Sequence, residues 1–385
     1  MDKKEIIVAL IKRMAAGILF ISCFMVSAGI SQAAFEEAIT TGARSQGMGE
    51  AFCGIGGDAS GILVNPAGIG FLEDMQVSFT GSFPYMGLLE NDSIMNNFVV
   101  FSTPLPARHS VGVGLNFLGS QAYGELVVFG SYAYRPLKNL SLGMNLKYLS
   151  WDSARSQFYT LGELDEEHLG GTGIGVDAGL MYKPVKEVGV GLALTNVNQP
   201  NIVSLASRDL CTDVLPIGMR AGFSFSLFDF LCDFDYIYNY HSAINRVDSF
   251  ICMGTERDLG SLGIPVTLRG GATLLGMGEG INMSLGASYK QTEGFAYRVD
   301  YAMVVLFMES AMFTHRFSFT VLIDSVARKL ARVEEEMRTD AEETRRNLEE
   351  EARIKAGEES TKETAAEPDE EKSDEEEESI DEDEE

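Results

Sequence analysis

Apolar and polar residues alternate along most of the chain between residues 75 and 324. In the segment 140–148, for example, Leu, Met and Tyr alternate with Ser, Gly, Asn and Lys. Successive side chains of a β-strand point to opposite faces, so this pattern predicts strands with one apolar and one polar face. The same alternation occurs in 75–83, 111–117, 174–182, 188–194, 217–225, 281–289, 295–303 and 317–323, and less regularly near Phe98, Val128, Phe234 and Met253.

Fourteen candidate strands are assigned in this way, and each is roughly as long as a tilted strand that crosses a bilayer. Long connections follow the odd-numbered strands and short ones follow the even-numbered strands, and the two longest span 152–172 and 198–214. Outer-membrane barrels show this alternation because they have long external loops and tight periplasmic turns. The pattern therefore predicts an all-β fold, a 14-stranded antiparallel transmembrane β-barrel.

A soluble β-sandwich is the alternative fold, since it also has strands with one apolar face, which packs against a second sheet. The apolar faces of this chain are rich in Leu, Phe, Tyr and Met along their full lengths, which favours the membrane. Aromatic residues also recur at strand ends, as in the interfacial girdles of membrane barrels. They are Phe83, Tyr134, Trp151, Tyr182 and Tyr289.

The polar face of such a barrel lines the lumen, and in this chain it carries many charges. The predicted luminal charge network comprises Lys147, Asp177, Arg220, Asp233, Asp235, Arg269, Arg298, Asp300 and Arg316. Arg298 and Asp300 are two residues apart on one strand, so their side chains point the same way and can meet. Two interpretations follow. The charges brace the barrel wall, or they line a polar permeation path, because luminal charges tune selectivity.

The two ends of the chain depart from the strand pattern. Basic residues precede an apolar run and small residues within 1–33, which predicts a signal peptide, with a single membrane anchor or a lipid at Cys23 as alternatives. Residues 325–356 change to a helical period, which predicts a charged α-helix. Residues 357–385 are acidic and low in complexity, so we expect them to be disordered. An even number of strands places this helix and tail in the periplasm.

Composition excludes one class of partner. The chain has 57 acidic and 30 basic residues, a net charge of -27, whereas nucleic-acid binding requires a surplus of Lys and Arg. Residues 325–385 hold 26 acidic and 10 basic residues and so contribute -16 of this total. No catalytic motif and no metal-binding Cys/His spacing occurs, so we expect no enzyme activity and no cofactor or metal. The pairing of Cys53, Cys211, Cys232 and Cys252 stays open.

Several short motifs precede the first predicted strand. The sequence is GARSQGMGEAF at 42–52, GDAS at 57–60 and NPAGIG at 65–70. This segment resembles the N-terminal region of the FadL/TodX superfamily of outer-membrane transporters, including its PorV-like branch. The strings PVTLRGG at 265–271 and THRFSF at 314–319 resemble strand segments of the PorV-like branch.

The resemblance implies that an N-terminal hatch, residues 34–73, occludes a barrel of residues 74–324. The hatch positions that it marks for ligand contact or hatch function are Arg44, Asn65, Pro66 and Ala67. We expect Arg44 to pair with a luminal carboxylate such as Asp233 or Asp235. Asp58 or Ser60 is expected to cap a short helix, and Asn65-Pro66 to form a turn.

The same resemblance implies a function in the outer membrane of the cell. It predicts passive uptake of hydrophobic small molecules, such as long-chain fatty acids, by a barrel embedded in outer-membrane lipid. The alternative is a non-transporting, PorV-like scaffold for secreted or periplasmic proteins. A charged lumen and a periplasmic extension favour this alternative, and its protein partner would bind residues 325–356.

Overall fold

The chain divides into two compact units, Met1–Arg328 and Lys329–Glu385. The computed structural model describes residues 35, 42–86, 94–120, 123–153, 169–202, 214–274, 280–292, 295–307, 311–324, 333, 337–342, 344–346, 348, 349 and 353. The predicted signal peptide and acidic tail, and the remaining residues of the predicted charged helix, lie outside this part of the chain.

Fourteen strands of the first unit form one closed barrel. The strands are β1 (Met75–Met86), β2 (Met95–Leu105), β3 (His109–Gly119), β4 (Tyr123–Leu137), β5 (Leu140–Ser153), β6 (Leu169–Val185), β7 (Val188–Thr195), β8 (Ile217–Leu227), β9 (Phe230–His241), β10 (Arg246–Asp258), β11 (Val266–Leu274), β12 (Ile281–Gln291), β13 (Tyr297–Phe307) and β14 (Ala311–Ile323). Each strand pairs antiparallel with its neighbours in the sequence, and β1 closes the barrel on β14, with Val77 opposite Val321. The predicted fold is confirmed.

Several strands extend beyond the regions of clear alternation. β6 has 17 residues and begins at Leu169, because the glycine-rich segment before Ile174 pairs with β5 although it lacks an apolar face. The predicted connection of 152–172 is therefore too long at both ends. At the other extreme, β7 has only 8 residues.

The barrel is apolar outside and polar inside, the reverse of a soluble protein. Large apolar side chains are exposed on its outer face, among them Phe79, Val113, Met144, Leu146, Ile174, Leu285 and Phe317. Polar side chains facing the lumen are buried, among them Ser78, Thr80, Ser102, Asn145, Asp177, Asp300 and Thr320. A monomeric soluble protein does not expose so much contiguous apolar surface. This surface is the lipid-facing band of a transmembrane barrel, the class found in outer membranes.

Aromatic residues on the outer face lie near the strand ends. Phe83, Tyr134, Tyr182 and Tyr289 are all exposed on this face. Trp151 was predicted to join them, but it points into the lumen, where its indole N–H donates to the Ile202 carbonyl at 2.9 Å. Trp151 is two and four residues from Leu149 and Lys147 on β5, so all three side chains point into the lumen. Its position near a strand end therefore did not show which face of the strand it occupies.

A hatch occupies the lumen, and residues 42–73 of it are described. It contains helix α1 (Ala43–Gly47) and two 3₁₀ helices, Ala59–Gly61 and Pro66–Phe71. Nearly all of its side chains are buried. Small residues suit this position because a hatch backbone must pack closely against the surrounding wall.

The second unit is described at scattered positions, and these are helical and exposed. Within it, Arg338 lies 3.8 Å from Glu342 and Arg345 lies 2.9 Å from Glu349, one helical turn apart. Such exposed pairs contribute only a few tenths of a kcal/mol, about 0.3–0.5 each. No helix in the described ranges is both long and apolar enough to cross a membrane.

Candidate functional site

Glycines of the barrel wall allow the hatch backbone to touch the strands. Gly271 on β11 faces the lumen, and a Cβ atom there would overlap the Met48 carbonyl carbon and the Gly49 nitrogen. Gly49 itself has φ of 61°, a conformation that favours glycine. Gly270, the next residue, faces outward and has nothing within 4 Å of its Cβ position. The fit between hatch and wall therefore depends on which face of the strand each glycine occupies.

Three arginines and three carboxylates join the hatch to the wall in a closed ring, here called the charge ring. Its members, in order, are Arg44, Asp58, Arg298, Asp300, Arg269 and Glu256. Two of them belong to the hatch, and the other four belong to β10, β11 and β13. Because the signs alternate around the ring, every charge lies between two opposite charges.

The hatch residues of the charge ring make direct ion pairs. Asp58 Oδ2 accepts from Arg44 Nη1 at 3.0 Å and from Arg298 Nη2 at 2.8 Å. Arg44 also binds Glu256 through both Nε, at 3.0 Å, and Nη2. Arg44 therefore pairs with Asp58 and Glu256, not with Asp233 or Asp235 as the sequence analysis expected.

The wall residues complete the ring on the far side. Arg298 Nε donates to Asp300 Oδ2 at 2.7 Å, and Arg269 Nε donates to Glu256 Oε2 at 2.8 Å. Arg269 Nη1 lies 3.0 Å from Asp300 Oδ1, close enough for an ion pair although the hydrogen-bond geometry is poor. The Asp300 side chain is fully buried and that of Arg269 is 2% exposed. Burial of this kind is tolerated only when each charge is paired.

Asp58 shows how the charge ring offsets the free-energy cost of burying a charged group. Burial raises the pKa of its carboxyl group, but attraction by Arg298 and Arg44, with a hydrogen bond from Ser60, outweighs this and holds the pKa well below its usual range. The carboxylate therefore stays ionised as the pH falls through the range in which an ordinary Asp is protonated. Asp58 Oδ1 also accepts from the Ser60 N–H at 3.0 Å and so caps the 3₁₀ helix Ala59–Gly61.

A second contact between hatch and wall involves β9. Asp235 Oδ2 accepts the backbone N–H groups of Phe52 and Cys53, each at 2.9 Å. Arg220 Nη1 lies 3.7 Å from the same oxygen and donates to the Glu50 carbonyl at 3.3 Å. A buried carboxylate thus holds two N–H groups of the hatch that no helix satisfies.

A third contact lies on β5 and β6. Lys147 Nζ is 2.7 Å from Asp177 Oδ1 and donates to Asn196 Oδ1 at 2.9 Å. Asn145 donates to Asp177 Oδ2 at 3.1 Å and, also at 3.1 Å, to the carbonyl of Ile62 in the hatch. The polar network is continuous from the wall to the hatch at this point.

The Asn-Pro-Ala motif lies at the start of the second 3₁₀ helix. Asn65 Oδ1 accepts the N–H of Ala67 at 3.1 Å, and Pro66 occupies the first turn. Asn65 Nδ2 donates to the carbonyls of Cys53, at 3.0 Å, and of Leu180 on β6, at 3.2 Å. The motif therefore caps a helix and ties two hatch segments to the wall.

Most predicted charges of the network face the lumen and are buried. They are Lys147, Asp177, Arg220, Asp233, Asp235, Arg269, Asp300 and Arg316, with Arg298 slightly more exposed. The structure brings Arg269, Arg298 and Asp300 into one ring, and places Asp177 and Arg220 in separate contacts. The sequence analysis missed Glu256, because the alternation near Met253 is too irregular to define the face. Among the described residues, no cluster of His, Cys, Asp and Glu could hold a metal.

The other side of the lumen is apolar. Luminal side chains of β2, β4 and β5 form one cluster with the hatch, comprising Phe35, Ala59, Ile62, Leu63, Ile69, Leu72, Phe98, Val100, Val127, Phe129, Ala133, Leu149, Ile202 and Leu215. Phe98 and Phe129 stack with ring centroids 6.0 Å apart. The lumen thus has a charged half on β8–β13 and a half on β2–β5 that contains this cluster, here called the apolar half, although polar side chains such as Asn116, Glu125 and Lys147 are also buried there. The sequence analysis predicted the luminal charges but not the apolar cluster.

A short segment covers the apolar half beside β6. β7 pairs with β6 only as far as Ala178, and residues 196–202, here called the strap, continue where β7 ends. The side chain of Asn198 accepts the Val176 N–H at 2.9 Å and donates to the Ile174 carbonyl at 2.7 Å. Gly173 lets the strap lie close, since its Cβ position is 3.4 Å from Pro200 Cβ.

A small cavity remains under the strap. It has a volume of about 20 Å³ and is bounded by Phe35, Leu63, Val127, Lys147, Leu149, Asn196 and Leu215. This is room for about one water molecule, whereas a cavity that binds benzene measures roughly 150 Å³. This cavity is therefore too small to hold an aromatic ring.

Comparison with solved structures identifies the fold. The toluene transporter TbuX of Ralstonia pickettii matches with a TM-score of 0.56 and 14% identity, covering 74% of this chain and 99% of that chain. The CymD monoaromatic hydrocarbon channel matches with a TM-score of 0.55 and 16% identity, covering 74% and 98%. The chain has the FadL-type channel fold. A FadL homologue of Pseudomonas aeruginosa also matches, with a TM-score of 0.53 and 13% identity over 74% and 98% of the two chains.

These relatives are channels and transporters, not enzymes, and the FadL/TodX resemblance of the sequence is confirmed at the level of fold. The PorV-like branch stays a prediction. No protein-family model and no curated protein sequence matches the chain.

Proposed function

We propose that this FadL-type barrel mediates passive uptake of small hydrophobic molecules across the outer membrane, through the apolar half of its lumen. The observation that carries the proposal is the apolar cluster on β2, β4 and β5, in which aromatic and aliphatic side chains of the wall pack against the hatch. A barrel that conducted ions would need a continuous polar path instead. Two of the structurally similar proteins are a toluene transporter and a monoaromatic hydrocarbon channel, which agrees with this chemistry.

The strap is the element that must move for a molecule to pass. It lies over the cavity, and Ile202 belongs to the apolar cluster. Four hydrogen bonds join it to β6, and three of them use the side chains of Asn198 and Asp177 instead of a backbone ladder. Side-chain bonds can be exchanged without breaking the pairing of β6 with β5, so we infer that the strap opens more easily than the strands around it. We therefore infer that displacement of the strap widens the cavity enough for an aromatic ring or an acyl chain.

A disulfide between the strap and β6 tests this proposal. The Cβ separation of 3.4 Å between positions 173 and 200 is near the range of natural disulfides. The double variant Gly173→Cys/Pro200→Cys is expected to form the bond under oxidising conditions and to lower uptake of radiolabelled toluene or oleate at least tenfold. Reduction with dithiothreitol is expected to restore uptake, which is measured in a host that lacks its own FadL-type channel.

The two single variants serve as controls, since each changes one contact and cannot form the bond. Oxidation is expected to leave their uptake unchanged. Full uptake by the fully oxidised double variant would contradict the role of the strap. Absence of toluene and oleate uptake by the wild-type chain would contradict the proposed function itself.

The fatty-acid assignment and the periplasmic tail remain parts of this proposal. The PorV-like scaffold is a weaker alternative, because the luminal charges pair with one another and with the hatch and leave the apolar cluster unexplained. Its remaining support is the second unit, where Val333, Met337 and Leu348 are exposed apolar residues. If these residues bind a periplasmic protein, a photocrosslinker at Met337 should capture it in whole cells. Equal uptake with and without residues 329–385 is expected under the transport proposal.

A further inference from the structure

Two cations point into the lumen at the barrel end where β1 begins and β14 ends. Arg135 lies near the end of β4 and Lys183 near the end of β6, each a few residues before a tight turn. They flank Phe71, the last residue of the second 3₁₀ helix. The Arg135 Cζ atom is 5.4 Å from the centroid of this ring and the Lys183 Nζ atom is 4.8 Å from it.

Neither cation forms an ion pair with another residue that the structure describes. The ion pairs of the described residues involve other cations throughout. Glu73 attracts both cations and Asp233 attracts Lys183, while Arg108 adds a further positive charge near Arg135. The charge ring is balanced, whereas this cluster carries an excess of positive charge.

Hydrogen-bond donors in the same place are also unused. Arg135 Nε is buried and has no hydrogen-bond partner, and neither has the hydroxyl of Ser141 on β5. Both residues lie beside Gly70, whose Cβ position is 3.3 Å from Arg135 Cγ and overlaps Ser141 Oγ. A buried donor without a partner is unfavourable, so a ligand that accepts these hydrogen bonds would be favoured.

We propose that Arg135, Ser141 and Lys183 form a binding site for an oxyanion, the carboxylate or phosphate group of a solute, at the periplasmic mouth of the lumen. A guanidinium and an ammonium group both bind such groups through charge-assisted hydrogen bonds. Lys183 and Phe71 are only half-buried, so the site is open to solvent from this end. The ring of Phe71 offers an apolar surface to the hydrocarbon part of an amphiphilic anion.

A neutral hydrocarbon needs no cation, so the site goes beyond hydrocarbon uptake; for a fatty acid it rests on the proposed function, but binding to the site is measured without any uptake. It also differs from the contacts described above, each of which pairs its charges within the protein. Its ligand would neutralise two like charges that face one aromatic ring. We therefore expect an anion to bind, and its neutral counterpart to bind much more weakly.

Titration calorimetry of the full chain in an uncharged maltoside detergent tests the site, with octanoate, 1-octanol and inorganic phosphate as probes. Octanoate is expected to bind at least tenfold more tightly than 1-octanol. Lys183→Gln and Arg135→Gln are each expected to weaken octanoate binding at least tenfold. Lys183→Arg keeps the charge and should retain most of the affinity, which separates loss of the site from loss of the fold.

Lys138→Gln is the matched control, since Lys138 is an exposed lysine on the adjacent turn and the variant loses the same charge. It is expected to bind octanoate like the wild type. Phosphate binding that Lys183→Gln abolishes would indicate a free oxyanion as ligand, and octanoate binding without phosphate binding would indicate an amphiphile. Equal octanoate affinity of wild type and Lys183→Gln, or an equal loss in Lys138→Gln, would overturn the proposal.

Discussion

Replacing Asp58 by Asn is expected to loosen the hatch from the wall by about 3–5 kcal/mol, the typical cost of leaving a buried ion pair without one partner. Asp58 Oδ2 accepts from both Arg44 and Arg298, so one substitution removes two ion pairs of the charge ring. Three arginines would then face two carboxylates in a buried site. Because the charge ring joins the hatch to β10, β11 and β13, we expect the hatch to leave its seat more often.

Two measurements check the Asp58→Asn prediction. The midpoint of urea unfolding in detergent reports stability, and single-channel conductance in planar bilayers reports opening of the lumen. Asp152→Asn is the matched control, because Asp152 is exposed at the end of β5 and loses the same charge. The double variant Asp58→Asn/Arg298→Met restores equal numbers of each sign and should recover part of the stability. A wild-type midpoint and conductance in Asp58→Asn would contradict the role given to the ring.

Replacing Gly271 by Ala is expected to displace the hatch by steric overlap, at a cost of about 3 kcal/mol, the upper end for overpacking. The added methyl group would overlap Met48 and Gly49 and lie 2.6 Å from the Met48 carbonyl oxygen. The atoms of Met48 and Gly49 that the methyl group would overlap belong to the backbone, so no flexible side chain can move aside. The hatch must shift or leave.

Gly270→Ala provides a control one residue away on the same strand. Its methyl group faces lipid and meets no atom within 4 Å, so we expect a change within about 0.5 kcal/mol. Urea midpoints of both variants and trypsin cleavage of the hatch in detergent micelles measure the difference. If Gly271→Ala and Gly270→Ala behave alike, the hatch does not lie against β11 as described.

The strand pattern was predictable because successive side chains of a strand face lipid and lumen in turn, so that every second residue is apolar. The segment 140–148 alternates clearly, and the structure places its apolar residues outward and Asn145 and Lys147 inward. Trp151 shows where this inference fails. A tryptophan near a strand end suggested a residue at the membrane interface. The alternation of side chains along β5 instead points Trp151 into the lumen, where it donates a hydrogen bond to the Ile202 carbonyl.

The candidate site was less predictable, because its partners are distant in sequence. Arg44 meets a luminal carboxylate as expected, but this carboxylate is Glu256, on a strand whose alternation is irregular, and not Asp233 or Asp235. Asp58 was expected only to cap a helix, and it also binds Arg298. The apolar half of the lumen was missed for a related reason. Phe98 and Phe129 occupy inward positions that alternation assigns to polar residues, and their partner is the hatch.

Local chemistry thus settles the all-β fold, the lipid-facing surface and the presence of an N-terminal hatch motif, since each depends on residues that are close in the chain. The charge ring, the apolar half of the lumen, the strap and the pair of cations beside Phe71 depend on how the barrel closes. Closure brings β1 against β14 and sets the register of every strand around the hatch. Charges far apart in sequence become neighbours only through that register. Paired charges hold the hatch to the wall, whereas the two cations beside Phe71 are left to bind a ligand.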